Sequence, residues 1–164
     1  LQCVEPLPAL TLSLALIGQL CWELTMSSAV PPTPVRINEL LTQLHRAVLH
    51  LHKALVDSEK KEWEQNRGSV GGPTQFLNML LNEPAFAWMR PFSGLIVAID
   101  EYQDSKEPKT TEEAKQLFGV ARNILRPPDF VESPYRDVLQ RDAAIVMLHA
   151  RVVQVLNEAE AEGL

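Results

Sequence analysis

Cysteine stops at Cys21, and that absence excludes more chemistry than any motif in the chain establishes. Cys3 and Cys21 are the only thiols among 164 residues. From residue 22 onward there is no internal disulfide, no cysteine-built zinc site, no iron–sulfur cluster and no thiol nucleophile. Such a composition fits a reducing compartment, and we expect a cytoplasmic protein. Basic charge is scarce as well, the formal net charge being −6. The densest basic stretch, Lys60-Lys61 with Lys53 and Arg67 nearby, is interrupted by Asp57, Glu59, Glu62 and Glu64. It reads as the solvated, mixed-charge face of a helix. Nucleic-acid binders neutralise phosphates with a basic surface, so no nucleic-acid partner is expected. Aromatic residues make up 6% of the chain against 46% for all hydrophobic types, so the core must be mostly aliphatic.

A long clean apolar run is also missing. Leu7 to Leu24 comes nearest, but Pro8, Gly18 and Glu23 break it, and no lysine or arginine precedes it. A signal peptide wants a positive start and a small-residue cleavage site, and a spanning helix wants about 20 apolar residues. The segment suits neither. Our reading is that Met26 is the true initiator and residues 1–25 are upstream reading frame, with a membrane anchor or a damaged export signal as the alternative. No membrane contact is expected unless residues 1–25 are genuine. Their removal would take away Glu5 and Glu23 and no basic residue, so the mild acidity survives. Residues 1–36 are thus a non-domain segment ending in a stiff linker with Pro31, Pro32 and Pro34. Residues 37–160 are the domain.

What the domain does contain is helical periodicity. Ile37, Leu41, Leu44, Val48, Leu51 and Leu55 recur at steps of three and four, which predicts one long helix over 37–67, capped by Thr33 or Asn38. Gly68, Gly71 and Gly72 stop it. Pro73 opens a short helix over 73–82 with Phe76, Leu77, Leu80 and Leu81. Pro84 opens a third, whose apolar side is Phe86, Trp88, Phe92, Leu95, Ile96 and Ile99. Pro91 should kink or split it, and Gly94 should let another helix approach. Thr110-Thr-Glu-Glu is a capping signal for a fourth helix over 110–125, ended by Pro127-Pro128. Ser133-Pro134 opens a second long helix over 134–160, with Val138, Ile145, Leu148, Val152 and Leu156 on one face. No stretch alternates with period two, and no repeat is visible. The expected fold is an all-α, antiparallel bundle of four to five helices. Its core should join the first stripe to those of the third and last helices.

The motifs of common catalysis are missing. There is no dinucleotide or phosphate loop, no nucleophile elbow and no zinc-protease helix. Ser69 and Ser93 have no histidine nearby in sequence. The sequence thus argues against an enzyme more than for one. The histidines and acids carry more information. His45, His52 and Glu59 are seven residues apart on the first long helix, at the margin of its apolar stripe. His149 lies within the last stripe, Asp142 is seven residues before it, and Asp100 borders the third. His52, Glu59, Asp100, Asp142 and His149 therefore form a candidate metal set of imidazole and carboxylate ligands, suited to iron, manganese or zinc. The structural alternative pairs His149 with Asp142 or Asp100 and leaves His45 and His52 half-exposed. A di-iron carboxylate site would need Glu-x-x-His on two helices, which is absent, and hemerythrin-like binding needs more histidines than four. A buried Glu59 or Asp142 needs a cationic partner, and Arg90, Arg122, Arg141 and Arg151 are on hand.

The stretch Pro84 to Gly94 is the most unusual in composition. It packs Phe86, Trp88 and Phe92 with Arg90 and two prolines around an expected helix break, and a break beside a core is a plausible pocket. Three functional expectations follow. The first is association, with a copy of itself or another protein. The second is metal binding. The third is a small-molecule sensor with a pocket built from Phe86, Trp88, Arg90 and Phe92. The segments Leu51-His-Lys-Ala-Leu-Val-Asp-Ser-Glu, Gly71-Gly-Pro and Phe86-Ala-Trp-Met-Arg-Pro-Phe-Ser-Gly-Leu-Ile-Val-Ala-Ile-Asp-Glu resemble a group of uncharacterised bacterial helical proteins. The resemblance spans roughly residues 37–156. It implies a bacterial cytosolic protein and supplies no activity.

Overall fold

The computed structural model describes residues 32–127 and 129–164. The expectations for Met26 and residues 1–25 lie outside these residues. Among the described residues every regular element is helical. Six α-helices occur, α1 (Pro34–Arg67), α2 (Pro73–Asn82), α3 (Arg90–Asp104), α4 (Thr111–Leu125), α5 (Pro134–Arg141) and α6 (Ala143–Ala161). Two 3-10 segments, Pro84–Met89 and Phe130–Glu132, lie between them. The helix count therefore exceeds the four to five expected. None of these helices is long and apolar enough to cross a membrane.

The α1 helix starts three residues before the expected position. Thr33 is its cap, and the threonine hydroxyl accepts from Arg36 N at 3.3 Å. Pro34 then occupies the first turn, where its missing N–H costs nothing. So the last proline of the linker belongs to the helix. The whole expected stripe is buried, with Leu40 and Ala47 added. Gly68 ends the helix with φ of +96°, a conformation that a side chain would strain.

The α1 helix is the axis of the packing. Its largest interfaces are with α6 and then α3, and smaller ones join it to α4 and the first 3-10 segment. Leu40, Leu41, Leu44, Leu51 and Leu55 are fully buried there, together with Phe92, Phe118, Ile99, Val138 and Ile145. At about 25 cal/mol per Å², this aliphatic burial is the main term opposing chain entropy. The α2 helix lies at the edge of that core, with Met79 and Leu80 half-buried against it. None of its residues is buried, and Leu77 and Leu81 are 54% and 59% exposed.

Two helix breaks differ in cause. Pro91 splits the third helix as expected, so that 84–89 becomes a 3-10 segment and α3 begins at Arg90. The long helix over 134–160 is split as well, with no proline at the break. Asp142 adopts extended angles (φ −132°, ψ 102°), and its carboxylate accepts from Ala144 N at 2.9 Å. Asp142 therefore ends α5 and caps α6. Gly94 is corrected too. A methyl group there would meet nothing within 4 Å, so no helix among the described residues packs against it.

Candidate functional site

The 3-10 segment turns successive aromatic side chains in different directions. Phe86 is buried against Trp63 (ring centroids 5.3 Å apart) and lies edge-on to Phe76 at 6.3 Å. Trp88 faces a second aromatic group. Its ring centroid is 6.4 Å from Phe92 and 6.1 Å from Tyr135. Tyr135 is the hub of that group, lying 5.3 Å from Phe92, 6.3 Å from Phe130 and 5.8 Å from His149. The expected pocket set is thus divided. Phe86 belongs to the first cluster, and Arg90 is exposed and donates to Leu81 O at 2.7 Å. Trp88 and Phe92 remain, joined by Tyr135 from α5.

These rings wall a cavity of about 350 Å³ between the 3-10 segment, α3, α4 and the start of α5, closed on the far side by Val120 and Ile124. Its size falls within the range of about 300–1,000 Å³ usual for small-molecule pockets. Of the polar residues on its wall, Asn123 and Asp129 are exposed, while Ser133 and Tyr135 are engaged within the protein. Ser133 Oγ donates to Phe130 O at 2.9 Å and accepts from Arg136 N at 3.3 Å. The Tyr135 hydroxyl lies 2.7 Å from His149 Nδ1. Trp88 differs from these, since its indole N–H is shut off from solvent and has no hydrogen-bond partner among the described residues.

Burial pushes the Tyr135 phenol well above its ordinary range, so it stays protonated. Burial, and then the nearby Arg126 guanidinium, hold His149 below the usual imidazole value. Both groups are therefore neutral near pH 7. The phenol has no other acceptor among the described residues, so Tyr135 donates to Nδ1 and the imidazole proton sits on Nε2.

The five candidate metal ligands go to separate partners. Glu59 is paired with Arg141, one of the four expected cations. Asp142 is spent on the α6 cap. His149 is bonded to Tyr135 rather than to Asp142 or Asp100. Asp100 faces His45, whose Nε2 lies 3.0 Å from Oδ1 but off the line of a hydrogen bond. His52 Nε2 lies 3.0 Å from Ser93 Oγ. Among the described residues no three histidine, aspartate or glutamate side chains gather at one point, as a metal would require at about 2.0–2.2 Å per ligand.

The Ser93–His52 pair was invisible in sequence because 41 residues separate its members. Burial lowers the His52 pKa, which leaves a neutral ring able to accept the hydroxyl proton. No third group is bonded to that ring among the described residues, and neither residue lines the Trp88 cavity. No family model, curated protein or solved structure matches the chain.

Proposed function

We propose that the protein binds a small, largely apolar molecule carrying one hydrogen-bond acceptor, held in the cavity of Trp88, Phe92 and Tyr135. One observation carries this reading, the aromatic cavity walled by Trp88, Phe92 and Tyr135, beside which the Trp88 N–H is shielded from water and has no partner among the described residues. A buried donor left unsatisfied costs about 1–3 kcal/mol. A carbonyl or ether oxygen in the cavity, met by a turn of the Trp88 ring that brings the N–H to the wall, would remove that cost while the rings cover the rest of the molecule. The indole N–H is then the one directional contact, and the aromatic faces supply shape.

The test compares cyclohexanone with methylcyclohexane, of similar size but with no acceptor. Cyclohexanone is expected to bind about 5–10-fold more tightly, the worth of one buried hydrogen bond. It should also move the Trp88 indole N–H resonance downfield. In Trp88→Phe the preference should vanish while both probes still bind. Equal affinities in the wild type, or an indole signal that does not move, would defeat the reading.

Association is the second reading, and α2 favours it. Leu77 and Leu81 lie one turn apart on a helix with no buried residue. If α2 docks on a second copy, light scattering should show mass rising with concentration, and Leu77→Glu with Leu81→Glu should return a monomer. A mass that stays monomeric at every concentration removes the self-association form of this reading.

A further inference from the structure

A second cavity lies behind Tyr135, between the C-terminal turn of α4 and the middle of α6. Its polar wall is Arg122, Arg126, His149, Asn157 and Glu160, and Leu125 and Leu156 supply apolar surface. Two guanidinium groups, an imidazole and an amide thus share a space of about 450 Å³ with one carboxylate. The two arginines are not equivalent. Arg122 is committed to the backbone, donating to Leu156 O at 3.3 Å and Leu164 O at 3.0 Å. Arg126 sits at the C-terminal cap of α4, and its guanidinium has no partner among the described residues. Glu160 is exposed and pairs with neither arginine among those residues. A cation near the end of a helix offsets the carbonyl dipole; Arg122 lies in the last turn of α4, although its bonds reach the carbonyls of Leu156 and Leu164 rather than those of α4. Arg126, at the cap itself, shares in that offset, and its guanidinium donors are free among the described residues to meet a ligand.

We infer that this cavity binds an organic anion, a carboxylate or a phosphate monoester, with its acidic head toward Arg126, His149 and Asn157 and its apolar body on Leu125 and Leu156. Arginine suits such a head because its planar fork donates two parallel bonds to a carboxylate or phosphate. Asn157 adds a neutral donor. Glu160 at the rim repels the ligand and weakens it. The site does not use Trp88, so it stands apart from the cavity of the proposed function.

Calorimetric titration of the full chain with benzoate, phenyl phosphate and inorganic phosphate tests the inference. Saturable binding of benzoate or phenyl phosphate is expected, and whichever is tighter identifies the head group. Arg126→Gln should weaken it by about tenfold or more, the loss of a charge-assisted pair. Glu160→Gln should tighten it. Arg151→Gln, which alters an exposed arginine bonded to Gln154 at 2.8 Å, should change nothing, and neither should Trp88→Phe. Inorganic phosphate binding as tightly as phenyl phosphate would remove the role of the apolar wall. Absence of binding by both organic anions, or an Arg126→Gln variant that binds like wild type, overturns the site. An Arg126→Gln variant that only melts earlier does the same, since its charge would then serve the helix end alone.

Discussion

Tyr135 shows how one side chain serves two neighbourhoods. Its ring is 2% exposed and forms part of the Trp88 cavity, while its hydroxyl reaches His149 on the wall of the second cavity. Tyr135→Phe keeps the ring and removes only the oxygen. The half-buried imidazole then loses its bond, and we expect a stability loss of about 1–2 kcal/mol in denaturant unfolding. The same variant reports the direction of the hydrogen bond. A hydroxyl donating to Nδ1 favours the neutral imidazole, so its removal should raise the His149 pKa. Titrating the ring proton by NMR reads this shift. A pKa that stays in place or falls would mean that the imidazole, not the phenol, is the donor.

At the scale of elements, much of the chain was legible because helix signals are local. The α1 stripe is buried at every expected position, and Thr110 and Glu113 form the capping box that their spacing implied. Glu113 N donates to Thr110 Oγ1 at 3.2 Å, and Thr110 N to Glu113 Oε2 at 3.1 Å. Thr110→Ala should therefore cost about 1 kcal/mol, seen as a melting point lower by about 2–4 °C for a domain of this size. An unchanged melting point would show the box to be idle. The break at Asp142 was not legible in the same way. The apolar period of Val138, Ile145 and Val152 runs straight through it, since heptad-like spacing survives a cap that inserts no extra residue. The signal lay instead in Asp142 itself, a strong capping residue and a poor one for a helix interior. Asp142→Ala should destabilise by about 1 kcal/mol and Asp142→Ser by much less. Equal effects of the two would mean that the carboxylate charge, not the cap, holds the junction.

The site was harder to read than the helices because its contacts cross the chain. Glu59 meets Arg141 across 82 residues and His52 meets Ser93 across 41, and periodicity within one helix cannot announce either pairing. The sequence put His52 and Glu59 at the margin of one apolar stripe and His149 within another. Which neighbour each margin faces depends on how the helices pack, and so the acids and histidines read as one cluster fell to separate partners. The aromatic stretch at 84–94 was a better guide. Its odd composition marked the helix break, although Tyr135, the ring that completes the cavity, lies on α5.

The whole molecule carries a pH dependence that these partners set. Burial lowers the pKa of both His52 and His149 below about 6.5, the value expected of each in the unfolded chain, and Arg126 adds to the effect at His149. The groups bonded to them, Ser93 and Tyr135, are neutral and offer no compensating negative charge. Above pH 6.5 the histidines are neutral in both states and their packing contributes fully. As the pH falls through 6.5 the unfolded chain takes up protons that the folded one refuses, so stability declines until the lower folded pKa values are reached. We expect denaturant midpoints to fall as the pH is lowered from 7.5 to 5, with net proton uptake on unfolding. Measurement should stop near pH 5, because the Thr110-bonded Glu113 carboxylate, held below its ordinary value, adds a loss of the same sign at lower pH. In a His52→Gln, His149→Gln double variant the midpoint should be lower at pH 7.5 yet nearly flat down to pH 5. Midpoints that rise on acidification, or a double variant with the wild-type slope, would show that these two imidazoles are not the groups the fold keeps uncharged.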